Sequence, residues 1–215
     1  MPEHVLCDPK TATRFADLIA AAGGVTLVAS ADIRREVTGL GVPLDAIGVF
    51  RRPEPRSLTD VVDASTRLVV FDGIDNPSNV GSIVRSAAAL GWDGLLLDTT
   101  SSDPLARRAL RVAMGTTFAL PHARYASPTE LLEALTARGF EIVGLTPSHP
   151  TRLVVDVAEI PATQTPRALV LGSERSGLSA QMADACTHLA RIPMREGIDS
   201  LNVAIAAGIA CYALR

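Results

Sequence analysis

Residues Asn76–Gly91 read N-P-S-N-V-G-S-I-V-R-S-A-A-A-L-G and follow shortly after an apolar run, Leu68-Val69-Val70-Phe71. That run is short and β-branched enough for a buried strand. The stretch after it opens a helix: Asn79 is a competent N-cap, and the small residues Ser82, Ser86, Ala87, Ala88 and Ala89 fill the turns that follow. Arg85 comes six residues after Asn79, under two turns along, so both polar groups can point towards the carboxyl end of the strand. Open α/β sheets place their ligands there. Two later blocks share this grammar, Leu169-Val-Leu-Gly-Ser-Glu-Arg-Ser-Gly-Leu178 and Ile192-Pro-Met-Arg-Glu-Gly-Ile-Asp-Ser-Leu-Asn-Val203. Each is an apolar strand that runs into a polar loop containing glycine.

Working outward, strand-like and helix-like pieces alternate. The first fifty residues read as Glu3–Cys7, Thr11–Ala22, Val25–Ala29, Ala31–Thr38 and Ala46–Val49, with Gly23-Gly24 and Gly39 ending the two helices. Pro53 and Pro55 mark a connector. A short helix over Thr59–Ala64 precedes the strand at Leu68. Strands are then predicted at Gly94–Asp98, Thr117–Leu120, Phe140–Thr146, Arg167–Leu171 and Thr187–Ile192. Helices are predicted over Leu105–Met114, Pro128–Ala137, Ser179–Ala185 and Ser200–Leu214. This alternation implies an α/β fold with a largely parallel sheet covered on both faces.

Composition narrows the function. The chain of 215 residues has 47% hydrophobic and 4% aromatic residues, which suits a compact α/β protein of one full domain and a small one. No apolar run approaches the roughly 20 residues of a membrane span, and the N-terminus lacks the pattern of a secretory signal. Cys7, Cys186 and Cys211 are odd in number and scattered, so neither a disulfide framework nor a zinc site is expected, and a reducing cytoplasm fits. His4, His122, His149 and His188 are too dispersed for a metal site. A formal net charge of −3 argues against gripping nucleic acid by bulk electrostatics. The positive charge is nearly all arginine, clustered at Arg51, Arg52 and Arg56 and at Arg107, Arg108 and Arg111. Such clusters are either solvated surface or bidentate phosphate sites.

Taken in order, the three blocks resemble the SpoU/TrmH family (SPOUT superfamily) of RNA 2′-O-ribose methyltransferases. Asn79, Gly81 and Arg85 match its first motif. Gly172, Glu174, Gly177 and Leu178 match the second, and Ile192, Pro193, Met194, Ser200, Leu201, Asn202 and Val203 the third. Asn76 stands where the family more often has Asp before the proline. The resemblance implies a parallel-sheet α/β knot, a deep trefoil, over residues 57–215. It also implies a small ribosomal-protein-like α/β region for substrate binding, with a connector, over residues 1–56. That region resembles a shortened version, either truncated at its start or serving only to buttress its neighbour.

The implied activity is methyl transfer from S-adenosyl-L-methionine to a ribose 2′-hydroxyl of structured RNA, ribosomal RNA ahead of transfer RNA. The alternative is a catalytically silent RNA- or ribosome-binding protein of the same fold. By the resemblance, Arg85, Asn79, Glu174, Ser200 and Asn202 are catalytic, with Arg85 central. A guanidinium stays protonated, so it would bind the hydroxyl and adjacent phosphate and would not abstract a proton. Asn79 reads equally as a cap and as an orienting group, and Ser200 as the cap of the last helix. Gly172, Ile192 and Leu201, with Thr146 and Met194 as neighbours, would hold the cofactor largely through backbone groups. Ile192 and Leu201 read equally as core residues. No metal and no membrane are implied. A homodimer is, with the last helix packing across it through Val203, Ala207, Ile209 and Tyr212.

Overall fold

The computed structural model describes residues 2–198 and 200–215. The chain divides into two compact units, one ending at Glu54 and the other spanning Pro55–Arg215. The first contains β1 (Pro2–Cys7), α1 (Pro9–Arg14), α2 (Ala16–Ala22), β2 (Val25–Val28), α3 (Ala31–Thr38) and β3 (Ala46–Phe50). Its sheet has the order β2-β1-β3, with β1 parallel to β2 and antiparallel to β3. The helix predicted over Thr11–Ala22 is two helices. Asp8 caps α1 by accepting from the Thr11 amide at 2.6 Å, and Phe15 leaves the helical region at φ −114°. Buried Arg34 braces this unit, donating to the carbonyls of Leu44 at 3.0 Å and Ala29 at 2.5 Å.

The second unit carries the site. Its elements are α4 (Leu58–Asp63), β4 (Arg67–Asp72), α5 (Pro77–Ala89), β5 (Gly94–Leu97), α6 (Arg107–Ala113), β6 (His122–Arg124), α7 (Pro128–Ala137), β7 (Glu141–Leu145), β8 (Val154–Asp156), β9 (Arg167–Gly172), α8 (Ala180–Ala185), β10 (His188–Arg191) and α9 (Val203–Ala213). Among the described residues its seven strands form one parallel sheet in the order β6-β5-β4-β9-β7-β10-β8.

Both faces are covered, which is why the strands are continuous apolar runs. Alternate side chains go to opposite layers. Val69, Phe71, Leu95, Leu97, Leu169 and Leu171 pack under α5, α6 and α9. Leu68, Val70, Leu96, Ala168 and Val170 pack under α4, α7 and α8. Gly81 lets α5 lie directly on α6, because a Cβ there would run into the Ala109 carbonyl.

Several predicted elements shift. Residues Thr116–Phe118 form a 3-10 turn where a strand was expected over Thr117–Leu120. Met114 and Gly115 both have left-handed φ, 52° and 88°, and reverse the chain just before it. Strands β6 and β8 have three residues each, too few to leave a periodic signal. The last helix begins at Val203, three residues later than expected.

Candidate active site

Three adjacent strands, β9, β7 and β10, end at one edge of the sheet, and the loops that follow them enclose a cavity of about 460 Å³. Its wall includes Thr146, Gly172, Ile192, Met194 and Leu201, so all five residues expected around a cofactor line one space. Glu174, Ser200 and Asn202 line it too. The volume is that of an ordinary small-molecule pocket, about 300–1,000 Å³.

The loop after β9 is held shut on itself. Ser173 and Gly177 exchange backbone hydrogen bonds at 3.1 and 2.9 Å, and the hydroxyls of Ser173 and Ser176 lie 2.7 Å apart. At Gly172 a Cβ would run into the backbone of Gly177 and Leu178. Two stretches of main chain therefore come close together in the cavity wall at Gly172. Thr146 donates its hydroxyl to the Ser148 carbonyl at 2.9 Å, which tightens the loop after β7.

At the mouth of the cavity one side chain joins the three sequence blocks. Asn202 Nδ2 donates to Asn79 Oδ1 at 3.1 Å and to Glu174 Oε1 at 3.0 Å. Its Oδ1 accepts from the amides of Ala204 at 3.0 Å and Ile205 at 3.4 Å, which makes Asn202 the N-cap of α9. Two expectations are corrected here. Ser200 does not cap α9, because the chain turns helical only after Asn202. Nor does Asn79 cap α5: Asn76 does, accepting from the Ser78 amide at 2.9 Å with Pro77 in the first helical position. Asn79 is instead buried one turn inside α5.

Arg85 is not brought to this cluster. It is exposed on α5 and has no hydrogen-bonding or ionic partner among the described residues. The reason is helical geometry: at about 100° per residue, six residues place Asn79 and Arg85 roughly 120° apart around the axis. Sequence reasoning also missed Arg175 and Arg191 on the cavity wall. Arg191 ends β10, and a charge closing an apolar strand was the available signal.

The loop Ser173–Gly177 also walls a second concavity of about 490 Å³, on which Asp72, Asp75 and Asp98 open. Burial pushes the Asp98 carboxyl up, but hydrogen bonds from Ser101 and Thr100 outweigh it and leave it below the ordinary carboxylate value. Among the described residues no three His, Cys, Asp or Glu side chains are arranged to hold a metal, and no helix is long and apolar enough to cross a membrane. All three cysteines are buried and unpaired.

The sequence pattern of the SpoU rRNA Methylase family matches residues 66–212. The chain belongs to that family. An uncharacterized tRNA/rRNA methyltransferase of Mycobacterium bovis is 38% identical over 207 residues, 94% of this chain and 71% of the relative. Among solved structures, the AdoMet-bound rRNA methyltransferase from Sinorhizobium meliloti superposes with a TM-score of 0.85 at 29% identity, covering 99% of this chain and 78% of that one. The SpoU methyltransferase AviRb from Streptomyces viridochromogenes, in complex with AdoMet, gives 0.84 at 27% identity, covering 99% and 81%. A structure described for the 2-OH methylation of C/U34 on tRNA gives 0.58 at 28% identity, covering 67% and 91%. The SpoU family is one of RNA methyltransferases, and these neighbours share the mostly parallel α/β sheet seen here.

The cavity fits the AdoMet that two of these neighbours hold. Ile192, Leu201, Met194 and Leu171 offer apolar surface to a flat ring, and the main-chain wall at Gly172 offers close backbone approach. The Glu174 carboxylate at the rim complements a sulfonium charge.

Proposed function

We propose that this chain transfers a methyl group from S-adenosyl-L-methionine to the 2′-hydroxyl of a ribose in structured RNA, ribosomal RNA ahead of transfer RNA. The observation that carries the reading is the Asn79–Asn202–Glu174 cluster at the mouth of a cofactor-sized cavity. The AdoMet held by the two neighbours and the 2-OH methylation described for a third support it. When bound, the cofactor supplies an electrophilic methyl on a sulfonium centre.

The chain's residues do the rest by holding and orienting. Thr146, Gly172, Ile192, Met194 and Leu201 bind the cofactor. Glu174 and Asn79 hold the ribose, and Ser200, exposed beside them, offers a further hydroxyl. Arg85 binds the phosphate next to the reacting ribose, and its lack of an internal partner supports that role.

Arg85 lies off the cavity of its own chain, and the homodimer is part of the proposal for that reason. Ile205, Ile209 and Tyr212 form an exposed stripe along α9 at helical spacing, whereas Val203 and Ala207, expected in the same face, are buried within the chain. Ser86 of α5 faces Gly208 of α9, so Arg85 and Ile209 flank one helix contact. A second copy on this face would cover the stripe and enclose Arg85. We also propose the trefoil-knot path, supported by β9 lying between β4 and β7 in the sheet. Two further parts of the proposal are an RNA-binding role for the first unit and a cytoplasmic location. Exposed Arg51 and the three unpaired cysteines support these.

The test is calorimetric titration with S-adenosylmethionine and its demethylated product, followed by methyl transfer to ribosomal and transfer RNA with nucleoside analysis. A 2′-O-methylated nucleoside, whose linkage resists alkali, is the expected product. A base-methylated nucleoside would refute the ribose reading. Absence of cofactor binding by folded protein would favour the silent RNA-binding alternative.

A further inference from the structure

Asn202 uses its whole hydrogen-bonding capacity within the chain. A side-chain amide offers two N–H donors and one carbonyl oxygen with two lone pairs. Here the two donors go to Asn79 Oδ1 and Glu174 Oε1, and the oxygen takes the amides of Ala204 and Ile205. The orientation of the amide is decided by the helix, because backbone N–H groups can only donate. Oδ1 must therefore face α9, and Nδ2 must face Asn79 and Glu174.

That orientation propagates. Asn79 is 7% exposed and turns its carbonyl oxygen to Asn202, so its NH2 faces the other way and has no partner among the described residues. Glu174 spends Oε1 on the same amide, which leaves Oε2 as a free acceptor. A donor on one partner of the Asn202 amide and an acceptor on the other are thus left over, and a ribose hydroxyl needs one of each: its oxygen accepts while its hydrogen is donated.

We propose that Asn202 is a positioning residue that sets the hydrogen-bond polarity of the site, making Asn79 the donor and Glu174 the acceptor for the reacting ribose, and does not itself touch RNA. This rests on the ribose-directed reading above. Both bonds from Asn202 go to groups in other sequence blocks, and a helix cap alone requires neither of them.

Asn202→Asp separates the two roles. Aspartate caps a helix as well as asparagine does and suits the positive end of the helix dipole, so a capping role predicts no loss. It has no donor, however, and it would set a second carboxylate against Glu174. The expected result is an unchanged thermal midpoint, with kcat for methyl transfer to ribosomal RNA down by at least about a hundredfold. The side-chain NH2 resonances of Asn79, assigned in the ligand-free protein, should shift and exchange faster. Asn202→Ala, which loses cap and donors together, should lower both stability and turnover. Full turnover of Asn202→Asp, or unchanged Asn79 resonances, would overturn the proposal. If Asn202→Asp fails to fold, the wild-type protein still decides. Rapid hydrogen exchange of both Asn202 side-chain protons would overturn the proposal, and slow exchange of both would support it. Wild-type protein that methylates no RNA would defeat the functional reading, while the resonance measurements would still judge the polarity.

Discussion

Removing the Arg167 guanidinium tests how the site end of the sheet is tied to the opposite end. Arg167 opens β9 and is 1% exposed. Its Nε lies 2.7 Å from Glu141 Oε2, its Nη2 reaches the Pro161 carbonyl at 2.8 Å, and its Nη1 reaches the Leu214 carbonyl at 3.4 Å. It thus pins the carboxyl end of α9, the helix whose other end carries Asn202. Arg167→Met would leave Glu141 facing only His188, at 2.9 Å, with its carboxylate largely buried. Breaking one side of a buried pair costs about 3–5 kcal/mol. Because Glu141 keeps 18% side-chain exposure and one partner, the lower end is expected. For a chain of this size about 3 kcal/mol lowers the unfolding midpoint by roughly 6–12 °C. Trp92, the single tryptophan, is 3% exposed and donates to the Cys211 carbonyl at 3.0 Å, so its fluorescence reports this unit alone. Urea unfolding followed at Trp92 is therefore the assay. The double change Arg167→Met with Glu141→Leu should recover most of the loss, since no uncompensated charge remains. A single-mutant cost below about 1 kcal/mol, or a double mutant no better than the single, would refute the reasoning.

Other outcomes follow from the same geometry. Gly172→Ala should weaken S-adenosylhomocysteine binding at least tenfold by calorimetry, because its Cβ would force the Gly177 backbone out of the cavity wall. On the proposed homodimer, wild type should run as a dimer on size exclusion and Ile205→Glu with Ile209→Glu as a folded monomer. Burial pushes the Cys186 and Cys211 thiols up to about 12 from 9.0. The folded state therefore holds those protons more tightly than the unfolded one. Their contribution is fully present below pH 9 and is lost as pH rises towards 12, so urea midpoints should fall across that window. Serine at both positions should flatten that part of the profile. Arg85→Ala should abolish methyl transfer while leaving cofactor affinity within a few fold, and near-normal turnover would remove Arg85 from the mechanism.

Much of the second unit was legible because its strands are buried on both faces. Leu68–Phe71 and Leu169–Leu171 are continuous apolar runs, and such runs are hard to read as anything but parallel-sheet core when helices alternate with them. That Gly172, Ile192 and Leu201 gather at one cavity was legible for a different reason: glycine and apolar residues at strand ends mark places where backbone must come close. What failed was local. Asn76, Asn79, Ser200 and Asn202 are all plausible caps by residue type, and the choice among them depends on where the chain turns helical, which side-chain type alone does not specify. The two three-residue strands left no period to detect.

Sequence by itself determined the α/β class, the three blocks that meet at the cavity and the absence of a long apolar span, because these depend on composition and on the pattern along the chain. Tertiary structure alone decided which polar groups meet. Asn79, Glu174 and Asn202 are separated by up to 123 positions yet share one amide, while Arg85, only six residues from Asn79, faces elsewhere. The physical reason is that a helix turns neighbouring side chains to different faces, whereas a parallel sheet brings the ends of distant strands to one edge.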